Sequence, residues 1–241
     1  MNHTQRKILI VGGGRVGQRA LDFCKENNFI AVIVDDKPDC LVRKYVDIIE
    51  VGDNFEVITK LQGNKAILFV TELSEIPRLL QSYDFEYTIP AVPIHLMGKL
   101  CYDYLRAKKF QVKPAANVIR LISKRIDQSL IINCSEKDGI IIASFMPKNQ
   151  NCAQNCVEYL RCPVTKIQKP KPLYEIFQDA CQDFPSMIFI SEQLKPNLGG
   201  IPKKSMDKFL HFLDSINQQV IIGTSCMCHG VLNAFKIEIS E

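Results

Sequence analysis

The chain has 241 residues, of which 46% are hydrophobic and 23% charged, and a formal net charge of +4. That is the make-up of an ordinary globular protein with room for two modest domains. The small, scattered charge argues against nucleic-acid binding, and no apolar run reaches the roughly 20 residues of a membrane span. The start Met1–Lys7 runs straight into an apolar strand and leaves no space for a signal peptide, so the expected compartment is cytoplasmic.

Taken in chain order, the first half alternates strand with helix. Strands are predicted near 7–11, 30–34, 46–51, 66–70 and 85–89, with helical patterns over 15–27, 54–62 and 74–82, and a longer helix over 93–109. Continuous apolar strands separated by amphipathic helices predict a parallel sheet covered on both faces, with ligands at the carboxyl edge. The first strand, Lys7–Val11, breaks into Gly12-Gly13-Gly14-Arg15-Val16-Gly17. The second ends in Asp35-Asp36, eighteen residues after Gly17. This is the G-x-G-x-x-G dinucleotide fingerprint in its strand–turn–helix context. Gly12 serves the turn, Gly14 the approach of a pyrophosphate and Gly17 the packing of the helix. Free N–H groups at Arg15 and Val16 would face phosphate, and Asp35 would accept from a ribose hydroxyl. A carboxylate there favours NAD; Arg15 and Arg19 keep NADP as the second candidate.

The second half reads as a more irregular α/β region. A hairpin is predicted at 130–134 and 140–144 across Asp138-Gly139, then a loop over 146–171, a helix at 172–182, a strand at 186–191, a helix at 203–216, and strands at 218–223 and 231–238. The expected fold class is α/β: a Rossmann-like domain over 1–112 and a cysteine-rich domain over 113–241. The basic stretch Lys166–Pro172 reads as a solvated linker, and Leu198–Pro202 as a connecting turn that could present N–H groups to an anion. His95 and Lys99, four residues apart, could line a nicotinamide end, although a helix-start contact and a solvated lysine account for them more simply.

The order Ile10-Val-Gly12-Gly-Gly14-Arg-Val-Gly17, Ile33-Val-Asp35, Val51-Gly52-Asp53 and Leu68-Phe-Val-Thr71 resembles the nucleotide-binding domain of TrkA-type (RCK) potassium-uptake regulators, over about residues 6–110. The resemblance implies NAD on Gly12, Gly14, Gly17 and Asp35, with Asp53 near the adenine edge. Asn54-Phe55 departs from that family's acidic helix start, and its ligand-sensing domain does not follow, so potassium transport is not carried over. Ile10–Val16 is also similar to the start of precorrin-2 dehydrogenases.

Ten cysteines are many for such a protein, and seven lie in the second half, six of them mostly in loops between strands: Cys134, Cys152, Cys156, Cys162, Cys226 and Cys228. Cys24, Cys40, Cys101 and Cys181 read as small apolar fillers. In a reducing compartment the clustering favours metal or redox chemistry over structural disulfides. Cys152, Cys156 and Cys162, spaced C-x3-C-x5-C, could converge on an iron–sulfur cluster or a zinc ion, with Cys134, Cys226 or Cys228 completing the set. The leading expectation is an NAD(P)-binding redox protein acting on a small molecule or a protein partner, with pairing into a homodimer open. The alternatives are a non-catalytic dinucleotide sensor braced by zinc, and a precorrin-2-type dehydrogenase.

Overall fold

The structure, a computed structural model, describes residues 5–150, 152–153, 156–157, 160–216 and 218–239. Residues 1–4, and parts of the predicted 146–171 loop, lie outside them. The fold is mixed α/β with two sheets and two compact units.

The first unit comprises residues 1–94 and 198–207. It contains β1 (Lys7–Val11), α1 (Arg15–Glu26), β2 (Ile30–Asp35), β3 (Ile48–Val51), β4 (Ala66–Val70), α2 (Ile76–Ser82) and β5 (Tyr87–Pro90). The rest of the chain supplies α3 (Leu96–Ala107), β6 (Phe110–Pro114), α4 (Ala116–Ser123), β7 (Ile131–Ser135), β8 (Ile140–Ser144), α5 (Leu173–Cys181), β9 (Ser186–Ile190), β10 (Glu192–Lys195), β11 (Leu198–Pro202), α6 (Lys203–Asp214), β12 (Gln219–Ser225) and β13 (His229–Ile239). Of these, β11 and the start of α6 return to the first unit.

The first-unit strands run in the order β11-β5-β1-β2-β4-β3. The five from the first half are parallel, as their uninterrupted apolar runs predict, and β11 is antiparallel to β5. Ile8 to Val11 and Val32 to Val34 are wholly buried, each large side chain contributing about 1.5–3 kcal/mol. In the standard doubly wound order the third strand lies beside the second. Here β4 lies between β2 and β3 instead. The β1–α1–β2 unit that carries the glycine loop is unaffected. The helix predicted over 54–62 is a 3-10 helix at Phe55–Lys60, whose β-branched Val57, Ile58 and Thr59 favour a regular α-helix less.

The second unit, 95–197 and 208–241, is organised on a sheet in the order β7-β8-β13-β12-β9, with β6 also on β13. At eleven residues β13 is long enough for both: its first half pairs with β8 and its second with β6. Apolar helices cover both faces. On one, α4 and α5 bury Ile119, Ile122, Leu173 and Phe177 against Ile141, Ile221 and Leu232. On the other, α3 approaches so closely that a Cβ on Gly98 would lie 2.5 Å from Asn233 Oδ1, and Phe209 of α6 meets Phe189 edge-on at 5.2 Å.

The division therefore falls at Ile94/His95, not at 112/113. The βα rhythm of the first half suggests that α3 belongs to the first domain, but its buried side chains pack on β6 and β12. Leu198–Pro202 is a buried strand and not a turn; its two glycines hide the strand pattern.

Candidate functional site

The carboxyl edge of the first sheet is built by hydrogen bonds that continue past the strand ends. Gly12 N–H donates to Val34 O (2.8 Å), Thr71 N–H to Asp35 O (3.1 Å), Gly52 N–H to Val70 O (3.0 Å) and Ala91 N–H to Val11 O (2.7 Å). These bonds bring Gly12, Asp35, Thr71 and Gly52-Asp53 to one edge, where ligands of parallel α/β sheets bind.

The three glycines of the fingerprint differ in what surrounds them. Gly12 has φ +109°, and a Cβ there would lie 2.6 Å from Ala91 O. A Cβ on Gly17 would fall onto the Gly12 carbonyl oxygen, so α1 can cross the loop only without a side chain. A Cβ on Gly14 meets nothing within 4 Å. Gly14 is also the N-cap of α1 and makes no side-chain cap bond, and the first turn after it holds no acidic residue. Gly14, Arg15 and Val16 are exposed. An empty glycine cradle at a helix N-terminus can accept an anion through backbone N–H groups.

Asp35 is half-buried and already engaged: Gly13 N–H donates to one oxygen at 2.5 Å and Lys37 N–H to the other at 2.8 Å. Its carboxylate thus fixes the glycine loop. Cys40 packs over the same loop, its Sγ 2.5 Å from where a Gly13 Cβ would be, and burial together with Asp35 pushes its thiol up. Asp36 is exposed. Asp53 pairs with Arg78 at 2.8 Å, and that guanidinium stacks 4.7 Å from the Phe55 ring centre.

In the second unit the turn between β12 and β13 holds Cys226, Cys228 and His229. The Ser225 hydroxyl donates to the carbonyls of Cys226 (2.9 Å) and His229 (3.0 Å), and Cys228 N–H points at Cys226 Sγ (3.4 Å). Phe145 N–H donates to Cys228 O and Leu173 N–H to Met227 O, which ties this turn to the end of β8 and the start of α5. His229 lies between two thiols, with Nε2 3.4 Å from Cys152 Sγ and Nδ1 3.8 Å from Cys226 Sγ.

Cys152 is pushed up by burial and by the neighbouring Cys156, Cys228 and Cys162 thiols, while Lys169 pulls it down. Burial pushes Cys162 the same way, but the Thr165 side chain, the N–H groups of Thr165 and Val164, and Lys169 outweigh it and leave the thiol lowered. The Thr165 N–H lies 3.4 Å from Cys162 Sγ. Cys156, Cys162 and Cys228 are near enough to Cys152 to raise its thiol, and His229 lies beside both Cys152 and Cys226. Cys134 is apart from this group: it is exposed on edge strand β7, opposite Ile141. Among the described residues no group of three or more His, Cys, Asp or Glu side chains is placed to hold a metal ion. Lys169, in the stretch expected to be solvated, is 2% exposed. The pattern of Lys and Pro at 166–172 carries no sign of this burial.

His95 caps α3 with Nδ1 2.7 Å from Asn233 Oδ1 and Nε2 3.0 Å from Thr224 Oγ1. Burial pushes the imidazole down to about 4 against the opposing pull of Asn233. Lys99 pairs with Asp103. Both residues act structurally within the second unit.

Residues 8–96 match the family model AF_1314_N, described as "Uncharacterized protein, N-terminal domain", and residues 98–238 match AF_1314_C, its C-terminal counterpart. The chain belongs to this family. It is 30% identical over 232 residues to an "Uncharacterized protein" of Archaeoglobus fulgidus, covering 95% of this chain and 98% of that one. No TrkA-type or general Rossmann family model is among the matches. No solved structure matches. No helix among the described residues is long and apolar enough to cross a membrane.

Proposed function

We propose that this AF_1314 family member is a dinucleotide-binding redox protein, with NAD(H) at the glycine loop and an iron–sulfur centre on Cys152, Cys156, Cys162 and Cys228. The observation that carries the reading is the contrast among the glycines. Two are closed off by backbone and the middle one faces open space at a helix start. A merely tight turn needs the closed glycines but not the open one. The pyrophosphate would sit over Gly14 against the N–H groups of Arg15 and Val16. Thr71 and Asp35 would flank the ribose, with Gly13 and Lys37 fixing the Asp35 carboxylate.

The donor set in the second unit fits a soft, thiolate-ligated metal. Backbone N–H groups aimed at Cys162 and Cys226 suit sulfur that carries negative charge. When bound, such a centre supplies one-electron chemistry, whereas a nicotinamide exchanges hydride. His229 lies between the Cys152 and Cys226 thiols.

The test is anaerobic purification with iron, acid-labile sulfide and zinc analysis, a visible spectrum, and NADH titration by calorimetry. Iron with sulfide, a broad visible band bleached by dithionite, and stoichiometric NADH binding are expected. Stoichiometric zinc without colour would replace this reading by the braced dinucleotide sensor. Loss of NADH binding would remove the nucleotide half.

A further inference from the structure

The excess positive charge of the chain is less scattered than its total suggests. Between Gly139 and Tyr174 five basic residues, Lys148, Arg161, Lys166, Lys169 and Lys171, stand against one acidic residue, Glu158, so this stretch holds an excess equal to the +4 of the entire chain. Lys171 is paired with Asp179, and Lys169 is enclosed. Lys148, Arg161 and Lys166 are exposed, and none of them pairs with a carboxylate among the described residues. Arg161 Nε and Lys166 Nζ donate to the carbonyls of Lys166 and Pro163, which leaves both charges in place. Beside them stand aliphatic side chains that the fold leaves in water. Leu160 is 54% exposed and Ile167 45%, and Val157 and Val164 are exposed too. Leu160, Arg161, Val164, Lys166 and Ile167 share one narrow hairpin. Cys162 N–H donates to Ile167 O, Lys166 N–H to Cys162 O and Lys169 N–H to Leu160 O, each at 2.9 Å, and Arg161 bridges to Gln168.

We propose that the hairpin 160–169 docks this protein onto an anionic lipid surface, with Leu160, Val164 and Ile167 entering the headgroup boundary and Arg161 and Lys166 held by lipid phosphates. Aliphatic side chains flanked by Lys and Arg suit such a boundary twice over, because removal of apolar surface from water and attraction to negative headgroups act together. A segment that enters the boundary must also satisfy its own backbone, and the three N–H bonds above do so across the turn. A protein partner fits less well. Protein interfaces favour aromatic side chains and disfavour Lys, whereas residues 160–169 include two lysines and no aromatic residue. The docking needs neither nucleotide nor iron.

The experiment is sedimentation of the full chain with vesicles at about 0.1 M salt. Vesicles of phosphatidylcholine with about one-third phosphatidylglycerol are compared with pure phosphatidylcholine, and soluble polyglutamate stands in for an acidic protein. Binding to the anionic vesicles is expected to be about tenfold tighter than to the neutral ones, or more. The double variant Leu160→Ser/Ile167→Ser should weaken it about tenfold, and Arg161→Gln/Lys166→Gln by about as much, both at unchanged Tm because these side chains are exposed. If the serine variant is destabilised, the charge variant is read alone. Leu121→Ser, which removes a similarly exposed leucine from α4, should leave binding unchanged. The chain has no tryptophan, so Val164→Trp places a single fluorophore at the turn, and its emission should move to the blue on anionic vesicles. Absence of vesicle binding, an equal loss in Leu121→Ser, or an unshifted emission overturns the proposal. Binding to polyglutamate but not to vesicles also overturns it and puts an acidic protein in place of the lipid.

Discussion

Replacing the fingerprint glycines one at a time separates ligand space from packing. At Gly14 a side chain points into open space, and the residue has an extended backbone with φ −79°. Gly14→Val is therefore expected to lower stability by only about 0.5 kcal/mol, the cost of an inferior N-cap. Its isopropyl group occupies the volume assigned to the pyrophosphate, so NADH affinity falls at least tenfold, about 1.4 kcal/mol. Gly12→Ala reverses the pattern. Its Cβ lies 2.6 Å from the Ala91 carbonyl oxygen, and its φ of +109° is strained for any residue with a side chain. Overpacking at about 1–2 kcal/mol and backbone strain at about 1–2 kcal/mol sum to roughly 3 kcal/mol. For a chain of this size that lowers Tm by about 6–12 °C. Differential scanning calorimetry reads the stability and isothermal titration calorimetry the affinity. A Gly14→Val protein with wild-type affinity refutes the placement of phosphate over Gly14, and a Gly12→Ala protein with wild-type Tm refutes the packing argument.

Three further outcomes follow from other parts of the molecule. The unfolded chain holds a proton on His95 below about 6.5 that the fold takes up only below about 4, so this residue's stabilisation is complete above pH 6.5 and fades as pH falls towards 4. Denaturant titrations should show about 2 kcal/mol lost between pH 7.5 and pH 5, a dependence that His95→Gln abolishes; equal slopes in both proteins would contradict it. On the iron–sulfur reading, Cys162→Ser should deplete iron while Cys134→Ser leaves it unchanged, since Cys162 lies near Cys152 and Cys134 is exposed on β7; metal analysis of both checks this. Thr88 is 1% exposed, and its hydroxyl oxygen has no hydrogen-bond partner among the described residues. Thr88→Val should raise stability by about 1 kcal/mol, and a lowered Tm would point to a partner for that hydroxyl.

The parallel strands of the first half are legible because residues buried on both faces must be apolar throughout: Lys7–Val11, Ile30–Asp35 and Ala66–Val70 admit few other readings. Their lateral order is not legible. No periodicity in Ile48–Val51 records that it pairs with β4 instead of β2. Phe110–Pro114 escapes notice because it is short, ends in proline and gains its strand character only from β13. The glycine loop can be located from spacing, but the different surroundings of Gly12, Gly14 and Gly17 arise from Ala91 and α1. The thiols of Cys152, Cys156 and Cys162 stand out by proximity in sequence. The choice of Cys228 over Cys134 depends on how β13 returns beside β8.

The strand β11 has a consequence for how the protein is made. It pairs with β5, yet it lies more than a hundred residues downstream of Pro90. While the ribosome is still translating the intervening segment, β5 exposes a row of unpaired N–H and C=O groups, the usual template for misassociation. The nascent first unit must therefore wait for most of the other unit before β11 arrives. A fragment cut at the family boundary near residue 96 would keep that bare edge permanently.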